Sequence, residues 1–316
     1  MPAIQTVNST GGNRRIGVAL LIGYLALYAA ALFAMRRAGN FDISEPLLVL
    51  TILGLGFSLA AWLFTMRARP LAYSVVRPTQ ELAIIGALLL LMAAFVTWGF
   101  GPLRRYLPSE PSHAIAVLAA KLLVFVIFPA LIMRAQFGYR PQQLAPISMP
   151  RSHLLAAFGM SALLLVFQAV FGRGLRDIAS THLPTVTLLW GLPLTFVWLA
   201  LEAGVVEELF FRVLLQTRLS AVLRSELAAV VLMSLIFGLA HAPGIYLRTS
   251  LTLEGLKNPS LLMAVGYSIV MVSVAGFFLG GLWARTRNFA LVVVVHAMGD
   301  LLPNLLPTLR SLRLLR

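Results

Sequence analysis

The stretch VVEELFFR, Val205 to Arg212, puts two adjacent glutamates and an arginine into a run that is otherwise apolar on both sides. Burying an ionisable group away from water is costly, so such charges persist where they pair or do chemical work. The reading of this stretch depends on whether the apolar residues around it belong to a packed globule or to a membrane span.

Composition decides for the membrane. The chain has 316 residues, of which 59% are hydrophobic and only 11% charged, and its mean hydropathy is +0.90. A soluble domain carries roughly 25% charged residues, and so apolar a chain cannot hide its surface inside one globule. A helix needs about 20 apolar residues to cross a hydrocarbon layer of about 30 Å. Segments of that kind fall at roughly 16–34, 47–65, 82–100, 114–133, 154–171, 195–217, 227–246, 261–283 and 289–308. No alternating pattern of the barrel kind is present. The fold expected is therefore all-α: a polytopic membrane protein with eight or nine transmembrane helices. Arg14 and Arg15 precede the first run as in a signal peptide. That run is longer than a signal core and Arg36 and Arg37 follow it, so it reads as a retained span.

The net charge of +14 does not point to nucleic acid. The arginines fall in pairs at nearly every loop, as Arg36/Arg37, Arg67/Arg69, Arg104/Arg105 and Arg285/Arg287. Snorkelling and contact with lipid headgroups distribute charge in this way. Lys and Arg balance across the two sides of a nine-span chain, so the positive-inside rule sets no orientation. The absence of cysteine excludes disulfides, thiolate metal sites and cysteine catalysis.

Chemistry divides the chain at about residue 185. Residues 1–185 hold about five spans with almost no internal charge; Lys121 is the exception, read as snorkelling or packing, and Pro129 is expected to kink its span. Residues 186–316 hold the last four spans and carry Glu202, Glu207, Glu208, Arg212, His241, His296 and Asp300 inside them. Between the seventh and eighth spans, RTSLTLEGLKNPS (248–260) is polar and long enough to serve as a lid. Gly276 and Gly280 form G-x-x-x-G, a helix-packing pattern, with Gly281 beside it.

Spacing separates the roles. On a regular helix Glu208 and Arg212 share a face in the favourable ion-pair order, which accounts for Glu208. Glu207 lies about 100° around the helix and points elsewhere. FGLAH places Phe237 and His241 on one face, and VVVVHAMGD does the same for His296 and Asp300. These are the histidines inside apolar runs; His113, His153 and His182 sit in or beside loops. At ~1.5 Å per residue, Glu207, His241, His296 and Asp300 lie roughly 15, 20, 10 and 16 Å from one face, within reach of one cavity.

A carboxylate and two imidazoles around a cavity suit activation of water. Glu207 can take a proton from water. His241 can hold the same water or share a metal with Glu207, and His296 can donate to the oxyanion formed when water attacks a peptide carbonyl. Asp300 can orient His296. Other protease chemistries fail: there is no H-E-x-x-H, no G-x-S-x-G, and no second intramembrane Asp for a dyad.

EELFFR, FGLAH and HAMGD, in that order, resemble the motifs E-E-x-x-x-R, F-x-x-x-H and H-x-x-x-N/D of the CAAX prenyl endopeptidase and bacteriocin-processing family. Its intramembrane members are glutamic or metalloproteases related to the Ras-converting endopeptidase. GFFLGGLWARTRNFALVVVVH resembles the linking region of that family, and the resemblance spans roughly residues 195–305. It implies an all-helical protease core within 186–316. There Glu207 and His241 prepare the water, His296 and residue 300 stabilise the oxyanion, and Glu208 and Arg212 support them. If a metal such as zinc is used, Glu207, His241 and His296 are its ligands; the same groups also serve a metal-free reaction. The family's prenyl-protein endopeptidases carry Asn where this chain has Asp300. An ionised Asp cannot donate a hydrogen bond, so Asp300 is assigned to orienting His296, with Asn304 as a further donor one turn on. The expected partners are membrane lipid and a membrane-associated peptide or protein, with no nucleic acid, in the bacterial cytoplasmic membrane. The competing reading is a non-catalytic immunity or scaffold protein, or a proton-coupled transporter.

Overall fold

The computed structural model describes residues 5–6, 13–39, 41–247 and 259–315. Among them, nine helices are long and apolar enough to cross a membrane. In chain order the spans are Arg14–Ala38, Ser44–Phe64, Pro78–Tyr106, Ser112–Phe137, Arg151–Phe171, Thr185–Leu223, Glu226–Leu247, Leu261–Thr286 and Phe289–Ser311. The only pairing of extended strands among the described residues joins Gln5–Thr6 to Ser74–Val75, antiparallel. The chain is thus an all-α polytopic membrane protein. The expected short fifth span reaches 21 residues because its helix already starts at Arg151. The sixth is longer than its apolar run implied, at 39 residues. Most of the segment proposed as a lid, residues 248–258, lies outside the described residues.

Five stretches of these spans are wide turns bonded i→i+5: Leu50–Gly56, Leu122–Ile127, Ala200–Val205, Glu208–Gln216 and Ser268–Val272. Each wide turn breaks the 3.6-residue spacing on which face assignments rest. In the fourth span the wide turn ends two residues before Pro129, which has no N–H for the carbonyl of Phe125.

The chain forms two compact units built from interleaved segments. The first comprises Met1–Leu63, Ala72–Thr97 and Phe211–Arg287. Its apolar core gathers Tyr24, Tyr28 and Met35 of the first span with Val270 and Val274 of the eighth. Tyr24 Oη lies 2.8 Å from Ser273 Oγ, and Tyr28 donates to the carbonyl of Pro46 at 2.7 Å. The seventh and eighth spans pack as the small-residue pattern implied: a Cβ on Gly276 would stand 2.7 Å from Ser234 Cα, and one on Gly280 3.0 Å from Met233 Cε. Gly281 has open space around it. A buried polar network also closes here. Arg218 Nε bonds Glu81 Oε2 at 2.8 Å, with both side chains fully buried, and its Nη1 bonds the Tyr73 hydroxyl at 2.9 Å. Glu81 Oε1 accepts the N–H groups of Val76 and Arg77.

The second unit comprises Phe64–Leu71, Trp98–Phe210 and Asn288–Arg316. Leu199, Ala297 and Leu301 form one of its cores, and Ile178, Leu305, Leu306 and Leu309 another. The ninth span starts at a side-chain cap: Asn288 Oδ1 accepts the N–H of Leu291 at 3.1 Å. The amide nitrogen of Asn288 donates to the carbonyl of Ser148 and to Nδ1 of His153, 2.8 Å away. An NH2 group must meet a lone pair, so the proton of His153 sits on Nε2 and is donated to the carbonyl of Arg69 at 3.0 Å. His153 is completely buried and holds the start of the ninth span.

Candidate active site

Within the second unit the sixth and ninth spans meet closely because residue 204 is glycine. A Cβ there would stand 3.1 Å from both Cγ1 and the carbonyl oxygen of Val293. Three residues further along each span come Glu207 and His296. Val206 and Glu207 form a short regular interval between the wide turns Ala200–Val205 and Glu208–Gln216, so neither glutamate has the azimuth that uniform helical spacing gives.

His296 is the hub of the arrangement. Its Nδ1 lies 2.7 Å from Glu208 Oε1, and Glu208 is fully buried. Its Nε2 faces Asp300 Oδ2 at 3.4 Å and Glu207 Oε2 at 3.8 Å. Three carboxylates therefore surround one imidazole inside the membrane. The side chains of Glu207 and Asp300 are 23% and 40% exposed, whereas that of His296 is 9% exposed. The two carboxylates at Nε2 thus reach open space, and Glu208 holds the ring from behind. The 3.8 Å separation from Glu207 is longer than a hydrogen bond.

The sequence reading pairs Glu208 with Arg212. Glu208–Gln216 is wound as a wide turn, and Glu208 makes a close contact with His296 that the sequence reading did not foresee. Asp300 was expected to orient His296, yet the shortest contact to the ring comes from Glu208. Asn304 was considered as an oxyanion donor, but its Nδ2 donates to the carbonyl of Asp300 at 2.8 Å.

The remaining motif residues lie in the first unit. His241 Nδ1 is 2.8 Å from the carbonyl of Phe237. A carbonyl only accepts, so Nδ1 carries the proton and Nε2 presents a lone pair. The guanidinium of Arg212 lies over the Phe237 ring, 4.5 Å from its centroid, and Phe211 meets that ring edge-on at 5.2 Å. The phenylalanine of the second motif is thus the seat of the first motif's arginine.

Three polar residues of the second unit had no such role in the sequence reading. Lys121 Nζ bonds Glu202 Oε1 at 2.7 Å, so it is an intramembrane ion pair and does not snorkel. Trp198 Nε1 donates to the other oxygen of Glu202 at 3.1 Å. Gln168 Nε2 donates to the carbonyls of Met298 and Leu164 at 2.7 and 3.1 Å, while its Oε1 accepts the N–H of Leu302 at 3.0 Å. A glutamine inside the apolar run LLLVFQAVF was the available signal for the last of these.

Among the described residues no three His, Asp or Glu side chains are grouped as a metal ion requires. The zinc option, with Glu207, His241 and His296 as ligands, is not carried by any such group among the described residues, and no step of the reaction is routed through a metal.

Residues 189–302 match the family model described as type II CAAX prenyl endopeptidase Rce1-like. No match was found among curated proteins or among solved structures.

Proposed function

We propose, from the match of residues 189–302 to the type II CAAX prenyl endopeptidase Rce1-like model, that this integral membrane protein hydrolyses a peptide bond of a membrane-associated protein or peptide. The observation that carries the reading is the set of carboxylates around His296, with Glu207 and Asp300 both at Nε2.

In the proposed reaction Glu207 takes a proton from a water molecule as its oxygen attacks the peptide carbonyl carbon. Negative charge develops on the carbonyl oxygen, and His296 donates its Nε2–H to it. Glu208, at Nδ1, holds the ring so that Nε2 faces the reacting group. Asp300 holds the same Nε2–H before substrate arrives and yields it to the oxyanion. When the C–N bond breaks, the proton on Glu207 passes to the leaving nitrogen. Arg212, seated on Phe237, is a supporting cation. Residues 186–316 form the protease core in this reading. A basic, cysteine-free chain with short loops suits the bacterial cytoplasmic membrane, where a secreted or defence peptide is a more natural substrate than a prenylated protein.

The reading is tested by terminal proteomics on membranes of cells carrying the wild-type protein or Glu207→Gln at matched expression. Peptide termini present with the first and missing with the second support it. Identical termini, with the variant folded and the protein's phenotype kept, would favour an immunity or scaffold role instead.

A further inference from the structure

Spans four and five lie outside the matched residues 189–302, yet each sends one polar side chain to a turn that carries or leads into a residue of the cluster. From the fourth span, Lys121 stands about 14 Å in from the helix start. It pairs with Glu202 at 2.7 Å, and the two side chains are 23% and 28% exposed. Both partners mark wide turns: Lys121 immediately precedes Leu122–Ile127, and Glu202 lies inside Ala200–Val205. These two wide turns pack on one another. A wide turn fits about one extra residue into the helix and so rotates the residues after it by about 100°. Glu207 comes two residues after Ala200–Val205. Its direction toward Nε2 of His296 therefore depends on the turn that Lys121 and Trp198 hold through Glu202.

The fifth span acts on the other side of the cluster. In a regular helix the N–H of Leu302 bonds the carbonyl of Met298. The amide of Gln168 contacts both groups, donating to the carbonyl and accepting from the N–H. Asp300 lies midway between them, and Pro303, with no N–H of its own, comes directly after. Gln168 thus clamps the one turn that aims Asp300 at Nε2.

We propose that spans four and five form a positioning brace for the carboxylates at His296 Nε2: Lys121 sets Glu207 through Glu202, and Gln168 sets Asp300. Lys121, Glu202 and Gln168 are positioning residues and touch no reacting atom. This assigns a role to the part of the chain that the family motifs do not cover, and it rests on the protease reading above.

The test uses the full-length protein in lipid nanodiscs with 15N-labelled histidine, His296 being assigned by His296→Asn. The variants are Lys121→Met, Gln168→Met, Lys121→Arg and the exchange Lys121→Glu with Glu202→Lys. Cleavage is read on those termini that depend on Glu207, followed by melting and by the imidazole 15N shifts. Lys121→Met and Gln168→Met should each slow cleavage at least tenfold with KM little changed, and should displace the Nε2 resonance of His296. Lys121→Arg and the exchanged pair should recover the rate to within threefold and return Nε2 to its wild-type position.

An unmoved Nε2 resonance in folded Lys121→Met and Gln168→Met overturns the brace. So does an exchanged pair that folds but is slow with a raised KM, because Lys121 would then contact substrate. Should the Met variants not fold, Lys121→Arg and the exchanged pair still decide. If no termini depend on Glu207, the protease reading falls, and the Nε2 resonance continues to test the brace alone.

Discussion

Gly204 sets the spacing on which the whole cluster depends, and its replacement separates geometry from stability. In Gly204→Ala the new Cβ would lie 3.1 Å from Val293 Cγ1 and 3.1 Å from Val293 O. Carbon atoms rest comfortably at about 3.5 Å or more, so the sixth and ninth spans must part by about 0.4 Å. If the contact between Glu208 and His296 takes up that movement, it lengthens from 2.7 Å to about 3.1 Å, the long end of the range for a hydrogen bond to nitrogen. Weakening it by about 1 kcal/mol corresponds to a roughly fivefold slower reaction. Alanine also gains about 1 kcal/mol of helix propensity over glycine, which offsets much of the strain. Gly204→Ala should therefore melt close to wild type and cleave several-fold more slowly. In Gly204→Val the branched side chain overpacks the contact at a cost of about 1–3 kcal/mol, and activity should be lost along with stability. The assay pairs thermal melting in detergent with the release rate of Glu207-dependent termini in proteoliposomes. Gly204→Val with wild-type melting and a wild-type rate would refute the reasoning, since Val293 would not be the wall the structure makes it.

Three other contacts carry expectations of their own. Glu208→Gln keeps a hydrogen-bonding group near His296 and removes the charge, so cleavage should fall at least tenfold while the protein stays folded; unchanged kinetics would show that Glu208 does not support the ring. Arg218→Met strands Glu81 in a fully buried site, and breaking such a pair costs about 3–5 kcal/mol; a melting point within a degree of wild type would contradict that. Asn288→Ala removes the cap of the ninth span, worth about 1 kcal/mol, and the partner of His153 Nδ1. A lowered melting point is expected there, with no change in KM.

The membrane fold was legible because composition and run length report it directly, and the ends of the sixth span moved because Thr185–Leu194 is apolar enough to continue the helix. Glu207, His296 and Asp300 were legible as charges in lipid-like surroundings. The contact of Glu208 with His296 was not, because the two residues lie 88 positions apart and no local pattern encodes their meeting. Lys121 and Gln168 were misjudged or passed over for the same reason. Their partners, Glu202 and the turn Met298–Leu302, lie far away in sequence, and no local pattern encodes such a meeting. Gly276 and Gly280 were read correctly as packing positions because the small-residue pattern is itself local.

The central claim is that Glu207 activates water for attack on a peptide bond. Its most direct test is to incubate purified protein in proteoliposomes with a library of hydrophobic peptides in 18O-labelled water, and to read the products by mass spectrometry. Wild type should release fragments whose new C-terminal carboxylate carries one 18O, and Glu207→Gln, folded to the same extent, should release none. Equal labelled products from both proteins would contradict the assignment of Glu207 as the base.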